Sequence, residues 1–115
     1  MNMLKVYGAD ICCDCLATKK IFEEQQVDYE YIDIIKSTDN MKSFFVIRDH
    51  SPLFEAVRNR EGGGIGVPLF VKDEQMTLDL AEALKWEGKE PVSEKAYEQL
   101  AAAMKAMIVN GQKKA

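Results

Sequence analysis

Cys12, Cys13, Asp14 and Cys15 stand together, directly after a short apolar run from Leu4 to Tyr7 and directly before a helical pattern. Clustered thiols can exchange disulfides or help to hold a metal. The spacing favours exchange. Cys12 and Cys15 are three apart, so in the first turn of a helix they share a face and lie within disulfide reach. Cys13 has no such partner, since its neighbours project elsewhere on the helix. The unsatisfied N–H groups and positive end of a helix favour a thiolate at the first cysteine, which makes Cys12 the expected nucleophile. Cys15, one turn in and on the side of Thr18 and Phe22, is expected to be more covered and to resolve a mixed disulfide. Asp10 and Asp14 flank Cys12 and oppose its ionisation, while Lys19 and Lys20 are a turn or more away. The expectation is a modest thiolate fraction and a reductant rather than a strong oxidant.

The elements that must position these thiols follow from periodicity and punctuation. Leu4 to Tyr7 reads as a first strand ending at Gly8, and a helix opening at the cysteines runs to about Gln26 with Ala17, Ile21 and Phe22 inward. Val27 to Ile35, rich in Tyr and Ile, reads as a second strand. Two strands joined by a helix form a parallel unit with a right-handed crossover. Ser37 or Thr38 caps a helix carrying Met41, Phe44 and Phe45 to about His50, and Ser51 caps another, with Pro52 in its first position. After the glycine-rich run Gly62 to Gly66, Val67 to Val71 reads as a third strand, paired with Gln75 to Leu78 across a turn at Asp73 and Glu74. Asp79 and Glu82 give an Asp-x-x-Glu helix start. A last helix from Ser93 places Ala96, Leu100, Met104, Met107 and Ile108 at helical spacing, and the polar tail from Asn110 is expected to fray.

Composition bounds the function. The 115 residues, 47% hydrophobic and 30% charged, suit one soluble domain. A single domain over 1–115 is expected, its last helix at about 93–109. The apolar run at the N-terminus is short for a secretory signal, and no stretch is long enough to span a bilayer, so a cytoplasmic location is expected. Thiols there are kept reduced, and a close cysteine pair is then more often catalytic, sensing or metal-binding than structural. A net charge of −4 with scattered Lys and Arg gives no basic stripe for phosphates, so neither nucleic acid nor membrane is an expected partner.

A CxxC pair between the first strand and first helix, a βαβ then ββα order, and Val67-Pro68 opening the third strand together resemble the thioredoxin fold, and within it the glutaredoxins. Val6 to Asp10 and Phe45 to Asp49 are similar to a bacterial group of glutaredoxin-related proteins. The resemblance covers about Met3 to Trp86 and implies an α/β thioredoxin-like fold. That is a four-stranded mixed sheet flanked by helices, here with a helical insertion and an extra C-terminal helix. It also implies a cis peptide before Pro68, and substrate contacts at Val67, Pro68, Thr77, Leu78 and Asp79. The implied activity is that of a thiol-disulfide oxidoreductase, with Cys12 and Cys15 catalytic, acting on protein or glutathione mixed disulfides. It would be recycled by a glutathione or thioredoxin reductase system. No tightly bound cofactor is implied, and glutathione is a possible co-substrate. Three differences stand out: Gly66 replaces the family's Thr before Val-Pro, Thr77-Leu78-Asp79 stands where the family has Gly-Gly-x-Asp, and no basic residue precedes Cys12.

Rival readings remain open from sequence. The thiols could carry zinc or an iron-sulfur cluster, although only His50 accompanies them and a closed site would need dimerisation or glutathione. A redox-sensing interaction module is another alternative. The long insertion before Pro68 is similar to that of arsenate-reductase-like proteins, which carry Arg where this chain has Val67. Cys13 reads as a bystander, His50 as solvated or capping, the glycines as a flexible loop beside the site, and the Met-bearing last helix as packing.

Overall fold

The computed structural model describes residues 3–114. Strand β1 (Leu4–Gly8) alternates buried and exposed positions, and Leu4 and Val6 are fully buried. It pairs in parallel with β2 (Tyr29–Asp33), Val6 facing Tyr31, and antiparallel with β3 (Leu69–Lys72), Val6 facing Phe70. Strand β4 (Gln75–Thr77) pairs antiparallel with β3, and the sheet order is β2-β1-β3-β4. Helix α1 (Cys13–Glu24) makes the crossover between β1 and β2.

Because side chains alternate across a strand, β1 and β3 feed two apolar layers. Leu4, Val6 and Phe70 pack with Ile21 and Phe22 of α1 and with Ala83 and Leu84 of α4 (Leu80–Trp86). Leu69 packs on the other face with Phe44 of α2 (Thr38–His50), Phe54 of a 3₁₀ turn (Pro52–Phe54) and Val57 of α3 (Glu55–Arg58). Those last three segments are the expected insertion between β2 and β3. Ser37 caps α2 by accepting the Asn40 N–H, and Ser51 caps the 3₁₀ turn by accepting that of Leu53.

Several boundaries differ from expectation. The third strand starts at Leu69 rather than Val67, since Pro68 has no N–H for the ladder. The second strand is shorter, Tyr29–Asp33, with a turn over 34–36. Asp79 does cap α4, accepting from the Ala81 N–H at 3.0 Å, but Glu82 does not complete a capping box. Glu82 instead accepts from the Thr77 hydroxyl (2.9 Å), and Thr77 Oγ1 takes the Asp79 N–H (3.0 Å) that the box would have satisfied.

Helix α5 (Glu94–Lys114) lies along α1 and is longer than the spacing predicts. Asn110 and Gly111 are poor helix formers but keep their backbone N–H groups, so they weaken the helix without ending it. Ala115, the end of the expected frayed tail, lies outside the described residues. The inward stripe also differs: Ala96 and Met107 are exposed, and Tyr97, Leu100, Met104 and Ile108 are partly buried. Gln25 anchors the approach to α5 at the end of α1, donating to the Glu90 carbonyl (2.9 Å) and accepting from its N–H (3.1 Å). Among the described residues, no helix is long and apolar enough to cross a membrane.

Candidate active site

The cysteine segment is set by the end of β1. Gly8 is buried there, and a Cβ on it would lie 2.8 Å from the Tyr31 hydroxyl and 3.0 Å from Cys15 Sγ. Only glycine lets the strand end approach both so closely. The chain then turns, with the Cys12 N–H bonded to the Ala9 carbonyl (3.0 Å), and Cys12 occupies the N-cap of α1 in an extended conformation. Cys15 is fully buried, whereas Cys12 and Cys13 are partly exposed. Cys12 and Cys15 thus form the close pair that their spacing predicts.

The charge state of the pair departs from the modest thiolate fraction expected. The Cys15 thiol donates to the Cys12 sulfur, and this is the largest of the effects that lower the Cys12 pKa to about 6. Burial opposes it. Cys12 makes no formal side-chain capping bond, but the backbone N–H groups of Cys15 and Asp14 face its sulfur and lower the pKa further. The Asp14 charge raises it only as the smallest effect. Cys15 moves far above the ordinary thiol range, because its proton is held for Cys12 and because it is buried.

The flanking aspartates lose much of their weight to partners that local sequence does not reveal. Asp10 pairs with Lys19 at 3.2 Å, and the same ammonium lies 4.2 Å from the centre of the Tyr31 ring. Asp14 accepts a hydrogen bond of 2.9 Å from the Tyr97 hydroxyl of α5. Burial, then that bond to the Asp14 carboxylate, pushes the Tyr97 pKa up. Tyr97 was missed by the sequence reading, although it stands at 97, 100, 104 and 108 with Leu100, Met104 and Ile108, the same helical repeat one residue over.

A cavity of about 430 Å³ lies between the start of α1, the β3 approach, the start of α4 and the start of α5; Asp14, between the cysteines in sequence, lines it, and the cysteines themselves do not. Val67, Pro68, Leu78 and Asp79 line it too, as does Tyr97. Thr77, the fifth expected contact, does not: it is buried and holds Asp79 and Glu82. The Val67–Pro68 peptide is cis. Neither the N–H nor the carbonyl of Val67 has a hydrogen-bond partner among the described residues.

The second half of the glycine run, 64–66, is held by contacts that a free loop would lack, while Gly62 and Gly63 stand in open space. Arg48 donates from Nε to the Ile65 carbonyl (2.9 Å) and from Nη2 to that of Gly64. Gly66, at φ +94°, packs so closely on Phe54 that a Cβ would lie 2.5 Å from the ring. This explains why the Thr of the resembling family has no place here. His50 is exposed, with Nδ1 2.9 Å from the Val46 carbonyl, and takes no part in the site. Among the described residues, no three His, Cys, Asp or Glu side chains are grouped to hold a metal ion.

A cysteine pair at the first helix of a four-stranded mixed sheet, with a cis Val67-Pro68 step just before the third strand, defines a thioredoxin-fold protein. Residues 4–60 match the family model described as Glutaredoxin, and the chain is a glutaredoxin-related protein with a thiol redox function. No curated protein and no solved structure matches it.

Proposed function

We propose that the protein is a thiol-disulfide oxidoreductase that reduces mixed disulfides through Cys12 and Cys15. The observation that carries this reading is the placement of a partly exposed Cys12 at the N-cap of α1 with a buried Cys15 one turn on, and the charge balance of the pair agrees with it. Cys12 is ionised near neutral pH, partly exposed and hydrogen-bonded, while Cys15 is buried and keeps its proton. The thiolate of Cys12 attacks one sulfur of a substrate disulfide, a Cys12–substrate disulfide forms, and the other substrate sulfur leaves as a thiolate and takes a proton from water. Cys15 then gives up its proton and attacks Cys12. The Cys12–Cys15 bond forms, and the second substrate thiol departs.

The substrate gains two electrons and two protons in this sequence, and an external thiol reductant restores the pair. The unpaired backbone of Val67 suits an extended segment that carries the disulfide, bound as an added strand. Asp79 and Leu78 close the far side of the groove. Glutathione is the natural small thiol to test as co-substrate.

The test is reduction of a small mixed disulfide, driven in turn by glutathione with its reductase and by thioredoxin reductase, for wild type, Cys12→Ser and Cys15→Ser. Turnover by wild type and none by Cys12→Ser is the expected result. Turnover that survives Cys12→Ser, or no turnover with either donor, overturns the reading. The donor that works identifies the recycling system, and loss of activity in Cys15→Ser separates a dithiol from a monothiol route.

A further inference from the structure

The groove that Asp14 of the cysteine segment lines together with Val67 and Pro68 has a composition that selects among disulfides. Its floor is apolar: Phe70 and Leu84 are buried, and Leu80 and Val92 are partly so. Its rim is acidic. Asp14, Asp79 and Glu94 all line it, no Lys, Arg or His does, and none of the three carboxylates joins an ion pair among the described residues. Two of them are held by hydrogen bonds, Asp14 by the Tyr97 hydroxyl and Asp79 by the Ala81 N–H, and Glu94 stands exposed in the first turn of α5.

We propose that this site takes disulfides in polypeptide segments with a lysine or arginine beside the cysteine, in preference to anionic disulfides. The proposal rests on the oxidoreductase reading above and names its substrate class. A long basic side chain has two parts, a methylene stem that packs on apolar surface and a cationic head that stays at the wet edge. The groove presents the matching parts in the matching order, a buried to half-buried apolar floor and an acidic rim of exposed Asp79 and Glu94 with half-buried Asp14. The unpaired Val67 backbone alongside would hold the segment's main chain. A carboxylate in the same place would meet three negative charges and no compensating cation. The acidic wall depends on α5, which supplies Glu94 and the Tyr97 that holds Asp14.

The experiment compares two mixed disulfides of one short peptide, identical except for Lys or Glu next to the cysteine, each joined to a neutral thiol. An adjacent cation also makes a disulfide intrinsically more reactive, so each kcat/KM is divided by that peptide's rate with free dithiothreitol. The expected ratio favours the Lys peptide by about tenfold at low salt and falls as ionic strength rises, as for steering by a cluster of fixed charges. Glu94→Lys is expected to shrink the ratio. A corrected ratio near one, or above one but insensitive to both salt and Glu94→Lys, overturns the proposal and leaves the oxidoreductase reading standing. Reduction of neither peptide overturns both.

Discussion

Replacement of Cys15 tests the physical origin of the Cys12 thiolate. In a Cys13→Ser background, Cys15→Ala removes the S–H donor and Cys15→Ser keeps a hydroxyl in its place. The parent Cys12 titrates at about 6, against 9.0 for an ordinary thiol, and donation by Cys15 is the largest cause. A hydrogen bond to a charged group contributes about 1.5–3 kcal/mol, and one pKa unit is about 1.4 kcal/mol. Loss of the donor should therefore raise the midpoint by about 1–2 units, to between about 7 and 8. The thiolate fraction at neutral pH would fall from about nine in ten to between about a half and a tenth. The assay is the ultraviolet absorbance of the thiolate against pH, read as a midpoint because intrinsic nucleophilicity also changes with pKa and confounds a single rate. Cys15→Ser should lie nearer the parent than Cys15→Ala. An alanine variant that titrates within about half a unit of the parent would show that the helix N–H groups, and not the partner thiol, hold the charge.

Two further outcomes are expected. Gly66→Ala must fit a Cβ 2.5 Å from the Phe54 ring at φ +94°, so it should lower stability by about 2–4 kcal/mol in urea unfolding at unchanged slope. A loss under about 0.5 kcal/mol would mean that the ring gives way. The second concerns pH. Because the Cys12 pKa is depressed on folding, the unfolded chain binds more protons between about pH 6 and the ordinary thiol pKa, and reduced wild type gains stability over Cys12→Ser as pH rises through that window. The contribution is complete at the top of the window and lost as pH falls through about 6. Partial exposure of Cys12 limits it to about 1–2 kcal/mol. A difference that stays flat with pH would refute the depressed pKa.

The parts of the fold that sequence displays are those decided within a few residues. Ser37, Ser51 and Asp79 cap the elements that follow them because their side chains reach backbone N–H groups two or three residues on. The period-2 burial of β1 and the Cys12–Cys15 spacing are equally local. What stayed hidden depends on partners far along the chain. Gln25 meets Glu90, Asp14 meets Tyr97, and Gly66 meets Phe54 across a loop held by Arg48. Thr77 illustrates the same limit in the site. Its place in the sequence resembles a substrate contact, but strand pairing with Phe70 turns it inward, where it bonds Glu82 and the Asp79 N–H.

The misjudged charge of Cys12 shows why proximity in sequence is a poor guide to electrostatics. Counting Asp10 and Asp14 beside the thiol gives the right sign for Asp14 but too much weight, because the count treats each carboxylate as free. Asp10 is taken by Lys19, and the surviving effect of Asp14 is smaller than that of a single proton donated from Cys15. Tyr97 then links reactivity to selectivity. Its bond to Asp14 draws off part of the carboxylate's charge near the thiolate, and it fixes that same carboxylate on the rim of the groove. Helix α5 is therefore more than packing for α1. One of its side chains bears on both the ionisation of Cys12 and the charge that an approaching substrate meets.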